Sequence, residues 1–352
     1  MSGGVLNEAY ERFHRTGPEW GEDQLTNHGP MAAEVLVRRG RADHVGGWVA
    51  HYLRRLDDLP ATTGVITEAS WAEALGDGRR IGDWVAYFTG RLAEQPWRQV
   101  LATWWPRLLP GVLAGTTHGV IRVGHVVRAL LAGAESPATL DELAHGLAFW
   151  AARSRGVPQV GDPGGRLSPQ AALDLLPRIP EQQGNVAHRL GQLARLDGWQ
   201  TTVTGLRPAA SPDEVPARLA DLVTAATLRY LTHGHGQPVL LVHTATAPNA
   251  VLHTLPALPR ELWTPSLTAI WTTTAAVFSA YAPPEPAPRS SLPGPPSDSD
   301  GVADVLERAI AHGDEHVIKF TDTAAEVYTR TGHPDALAAA VRIGTLIAPA
   351  SA

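Results

Sequence analysis

Apolar residues recur at helical spacing along most of this chain, and little of it alternates as a strand would. The period is present near 5–15, 31–39, 42–56, 80–94, 97–105, 119–133, 138–153 and 169–176. It continues near 185–197, 213–232, 247–257, 261–281, 302–311, 314–330 and 333–347. Start signals accompany several of these stretches: Ser136, Ser211 and Asp314 as N-caps, and Pro30 in a first turn. Only 201–204 and 239–242 are candidate strands, and both are short. With no strand–helix alternation, the fold predicted is all-α, a single large helical domain over 1–352 with buried histidine-bearing helices. The stretch APPEPAPRSSLPGPPSDSD, 282–300, cannot be helix or central strand and is expected to be a flexible surface loop.

A net charge of −6 and the absence of any basic run argue against a nucleic-acid partner. Cysteine is absent, which removes disulfides, thiolate metal sites and cysteine nucleophiles together. The N-terminus MSGGVLNEAYERFH has no apolar signal region, and the most apolar stretch, 101–113, is broken by Pro106, Arg107 and Pro110. No membrane partner and a cytoplasmic location are therefore expected. The chain holds 15 His and 11 Trp against 5 Phe. Histidine is the commonest metal ligand and acid–base group near neutral pH. The tryptophans suit aromatic ligands but fill cores equally well.

Four stretches could carry chemistry. In TTHGVIRVGH, His118, Arg122 and His125 lie at i, i+4 and i+7 on one helical face, and the other faces are apolar. Such a stripe is buried and needs partners, water or a ligand. Gly119 and Gly124 would permit close approach. In TNHGPM, His28 sits in a turn at a helix entry, where a local cap explains it as well as a ligand role does. In VLLVHTATAP, His243 follows four apolar residues; a strand-end histidine bonded to a loop carbonyl is the competing reading. His233 and His235, in a glycine-rich turn, are expected to be solvated. His145, in ELAHGLAFW, is most simply a satisfied core histidine.

The fourth stretch is EHVIKF. Lys319 is the one lysine among 29 basic residues, one helical turn after His316. A surface lysine needs no explanation. A buried one can lose its proton, as arginine cannot. The neutral amine can then form a Schiff base, or take up carbon dioxide to give a carbamate that binds metal as a carboxylate does. HExxH and GxSxG are absent, Asp43-His44 is in the wrong order for a His-Asp pair, and GDPGG at 161–165 lacks a dinucleotide-binding context.

Taken in order, NHGPM, THGVIRVGHVVRAL, ELAHGLAFWAAR, VHTATAP and DEHVIKFTDTA resemble the questin oxidase-like family, over about 5–345. The resemblance implies an oxygenase that opens an anthraquinone or related aromatic polyketide ring with O2. It implies non-haem Fe(II) held by histidines and a carboxylated lysine, with NADPH as a candidate diffusible reductant. On that basis the metal ligands expected are His28, His118, His243, His316 and Lys319. His118 and His125 are about 10 Å apart along the helix axis, too far to share an ion through bonds of roughly 2.1 Å. His125 is therefore assigned a place behind the metal ligands or against the substrate, with the reverse order left open. Arg122 is expected to pair with a phenolate or oxygen-derived anion. Trp104, Trp105 and Trp150 would wall the quinone pocket, with His145 beside it or in reserve as a ligand. Two alternatives stand beside this: a metal-free Schiff-base lyase using Lys319, and a non-catalytic binder of aromatic polyketides.

Overall fold

The computed structural model describes residues 2–296 and 300–350. Among them the chain is all-α. The one sheet is a two-stranded antiparallel ribbon, Glu19–Trp20 against Leu25–Thr26. No helix among the described residues is long and apolar enough to cross a membrane. The chain divides into two compact units: Met1–Gly156 with His253–Leu262, and Val157–Leu252 with Trp263–Ala352. The division thus falls near residue 156, and the proline-rich segment lies within the second unit.

In the first unit, helix Pro137–Ala152 is buried along almost its whole length and packs against Ile81–Glu94 and His118–Leu131. Ser136 accepts from the Thr139 amide, and Pro137 supplies the preset φ of a first turn. Helix Gly29–Arg38 packs against Ser2–Phe13 and His118–Leu131. A Cβ on Gly29 would overlap the Phe13 ring, so glycine is required directly after His28. In the second unit, helices Val215–His233, Glu315–Thr331 and Pro334–Leu346 pack together, with Val223, Val327 and Ala336 at their common core. Asp314 caps Glu315–Thr331 by accepting from the amides of His316 and Val317, at 2.8 and 3.1 Å.

Both expected strands are helical. Residues 201–204 belong to helix Trp199–Thr204, where Trp199 and Val203 are buried four positions apart. That burial overrides the strand preference of the threonines. Residues 239–241 belong to a turn of helix, Pro238–Leu241, opened by a proline in its first turn, and Val242 is its C-cap. A short apolar run cannot by itself distinguish strand from buried helix. His243 therefore begins a helix, His243–Thr254, which continues through Pro248. In 282–300 the only regular element among the described residues is a short 3-10 turn at Arg289–Ser291. Residues 297–299 of that expected loop lie outside the described residues.

Candidate metal centre

The His118 helix is entered through an unusual turn. Gly115, Thr116 and Thr117 all have positive φ, at 51, 56 and 71°. For a β-branched residue this region is strained, at about 1–3 kcal/mol each. The buried Thr117 hydroxyl has no hydrogen-bond partner among the described residues. The turn brings the Gly115 carbonyl onto His118 Nδ1. On the other side of the pair, His28 Nδ1 lies 2.5 Å from the Thr26 carbonyl, and its amide donates to the Tyr52 hydroxyl at 2.8 Å.

A carbonyl can only accept, so both Nδ1 atoms carry the proton, and both Nε2 atoms are lone-pair acceptors. These Nε2 atoms are 2.7 Å apart, with the buried rings edge to face at 86°. Two acceptors at that distance repel unless a proton or cation lies with them. A backbone carbonyl holding the far ring nitrogen is also how metal-binding imidazoles are oriented.

The second unit holds another group. His243 Nδ1 is 3.1 Å from the Leu240 carbonyl, which again leaves Nε2 as the acceptor. Its ring meets His316 edge to face at 6.4 Å. Burial, then the charges of Lys319 and His316, hold His243 well below its usual pKa, so it is neutral as a ligand must be. Lys319 is buried one turn beyond His316, and its Nζ has no hydrogen-bond partner among the described residues. Burial lowers this amine to about 7, although Glu315 and Asp314 oppose the shift. Asp314, Glu315 and His316 offer ligand atoms within 4.8 Å of one another. Buried Glu315 was missed in the sequence; its only signal there was adjacency to His316. Asn249 donates to Thr323 at 3.4 Å and to Glu326 at 2.8 Å, tying the His243 helix to the Lys319 helix.

The remaining expected residues have other partners. Arg122 is buried and bonded through two nitrogens to Glu142, at 2.6 and 2.8 Å. Its expected pairing with a substrate anion gives way to this ion pair. Burial alone would raise Glu142, but Arg122 and His14 outweigh it and hold the carboxyl at about 2. His125 Nδ1 is 2.8 Å from Glu34, which Arg128 also binds, so that imidazole is committed to a carboxylate. Trp104 packs against Trp84, Phe88 and Tyr87 at 4.9–5.5 Å, as core rather than pocket wall. Trp105 and Trp150 meet edge to face at 5.1 Å. A Cβ on Gly119 would stand 2.7 Å from that of Trp150, so glycine lets this tryptophan pack directly against the first turn of the His118 helix. His233, expected in solvent, is buried against Phe278, while His235 is exposed.

His145 is buried and stacks on His14 at 4.7 Å. Burial, then Arg122 and His14, lower it to about 3. The unfolded chain therefore binds a proton here that the folded chain does not. Stability contributed above pH 6.5 is lost as pH falls toward 3, by about 1.4 kcal/mol per pH unit. Glu142, held at about 2 when folded, adds its own loss only below about 4.5. His145→Phe should flatten the pH dependence of the urea midpoint between 6.5 and 4.5. An unchanged slope would mean that His145 is protonated in the folded protein.

No model of a known protein family matches this chain, and no curated protein shows significant similarity to it.

Proposed function

We propose that this protein is a metal-dependent oxygenase of the questin oxidase-like kind, using non-haem Fe(II) and O2 to cleave a C–C bond of an anthraquinone or related aromatic polyketide. The observation that carries the metal reading is the pair of buried Nε2 acceptors of His28 and His118, 2.7 Å apart with both Nδ1 atoms committed to carbonyls. Two donor sets are proposed, each within its own unit: His28 and His118 in the first, and His243, His316 and Lys319 in the second. Neutral imidazoles with an oxygen-bearing anion suit Fe(II), although other divalent ions share these preferences. The orphaned Lys319 amine fits a carbamate. Its nitrogen bonds to the carbon of CO2 and releases one proton, leaving two oxygens that share a negative charge.

Bound iron would supply the one-electron chemistry that lets O2 react with a closed-shell aromatic. The chain's own residues have narrower tasks in this proposal. The Thr26, Gly115 and Leu240 carbonyls fix the rings of His28, His118 and His243. The Asn249 bridge holds Lys319 in register with His243. Trp105 and Trp150, expected as pocket walls, are fully buried and pack on each other as core, and a diffusible reductant such as NADPH belongs to the same proposal.

Metal analysis of protein purified without chelator tests this reading. Stoichiometric iron is expected, and it should fall in His28→Ala and His118→Ala. Purified protein without bound metal, together with no O2 uptake on any hydroxyanthraquinone, would sink it. One observation favours a second reading: a lysine at about 7 is nucleophilic as the neutral amine, which a Schiff-base lyase would need. Borohydride trapping of a carbonyl substrate on Lys319 in metal-free protein would decide for that reading.

A further inference from the structure

Beneath the proline-rich segment of the second unit is a cavity of about 450 Å³, within the size range of small-molecule sites. Pro284, Pro286 and Leu292 form one wall, pinned by the Ala287 amide donating to the Thr232 carbonyl at 2.8 Å. The lining also carries three guanidiniums, Arg178, Arg229 and Arg289, the last from the proline-rich segment itself, with one carboxylate, Asp174.

The charges do not balance locally. Arg289 is satisfied by both oxygens of Asp335, at 2.7 and 3.1 Å. Asp174 is taken by Arg229, whose buried Nε still has no hydrogen-bond partner among the described residues. Among the described residues Arg178 donates only to two backbone carbonyls, of Leu176 at 2.5 Å and Pro283 at 3.4 Å, and its guanidinium lies 4.5 Å from the centre of the Phe278 ring. Burial, then the charge of Arg229, lower Arg178 to about 10, and both arginines, after burial, help hold His233 at about 4. A half-buried guanidinium without a carboxylate of its own is costly unless an anion completes it.

We propose that this pocket binds a small organic anion. Its phosphate or carboxylate group would sit between Arg178 and Arg229, and its body along Pro284, Pro286 and Leu292. The site is independent of the proposed metal centre and would persist if that reading failed.

The test is calorimetric titration of the full chain with inorganic phosphate and, separately, with succinate, at ionic strength held constant with sodium chloride. Saturable binding of one of them is expected, and the better binder identifies the acidic group. Arg178→Gln should weaken it about tenfold or more, the worth of one charge-assisted contact. Without anion, Arg178→Gln should be at least as stable as the parent, because the charge it removes lacks a carboxylate of its own. If Arg178→Gln does not fold, Arg229→Gln serves instead, with the same weakening expected. Failure of both anions to saturate would overturn the proposal. So would a variant that binds as tightly as the parent, or weakening accompanied by an equal loss of anion-free stability.

Discussion

Lys319→Met should yield a folded protein that carries no iron and consumes no oxygen. Methionine matches the length and apolar character of the lysine stem but cannot take up carbon dioxide. The amine is buried without a hydrogen-bond partner among the described residues, and burial lowers it to about 7. Holding it protonated therefore costs on the order of 5 kcal/mol relative to water. Removing it should not destabilise the fold, so loss of iron can be separated from unfolding by circular dichroism on the same sample. Lys319→Arg should fail in the same way, because a guanidinium keeps the charge but forms no carbamate. Labelling with ¹³C-bicarbonate gives a readout independent of turnover: a carbamate resonance in the parent, absent from both variants. Full iron and full turnover in Lys319→Met would end the carbamate assignment.

Glu142→Ala should destabilise the protein by about 3–5 kcal/mol, the range for leaving one partner of a buried ion pair uncompensated. Arg122 and Glu142 are both almost wholly inaccessible and meet through two hydrogen bonds; His14 is a third member at 3.1 Å. The alanine variant would leave the Arg122 guanidinium buried without a carboxylate. Replacing both residues, Arg122→Met with Glu142→Leu, should recover most of the loss, because two apolar side chains leave no charge to solvate. Urea unfolding measures both, with the midpoint moving and the slope constant. A shift in Glu142→Ala below about 1 kcal/mol would show that water reaches Arg122.

The contrast between Arg122 and Lys319 shows what spacing can and cannot reveal. Periodicity placed His118, Arg122 and His125 on one helical face; His118 and Arg122 are buried there, and His125 is partly exposed. It could not say that each would meet a different partner: His28, Glu142 and Glu34. Those carboxylates are 20 and 91 residues away from the side chains they bind, and nothing local encodes the pairing. The expectation that Arg122 waits for a substrate anion failed for that reason. Trp104 failed similarly, because closeness in sequence to a histidine helix does not say which face a ring covers. The strained Gly115–Thr117 turn was also invisible, since threonine is a poor choice for positive φ and its presence gives no warning.

The sequence by itself determined that the chain would be helical, where most helices begin and end, and that one lysine would sit a turn beyond a histidine behind an aspartate cap. These are consequences of hydrophobic period and capping, which act over a few residues. Only the tertiary structure decided that Lys319 is buried without a hydrogen-bond partner among the described residues, that His28 and His118 face each other through Nε2, and that Arg122 is neutralised by Glu142. Burial and pairing depend on side chains brought together from distant segments, and those contacts set which groups remain available for chemistry.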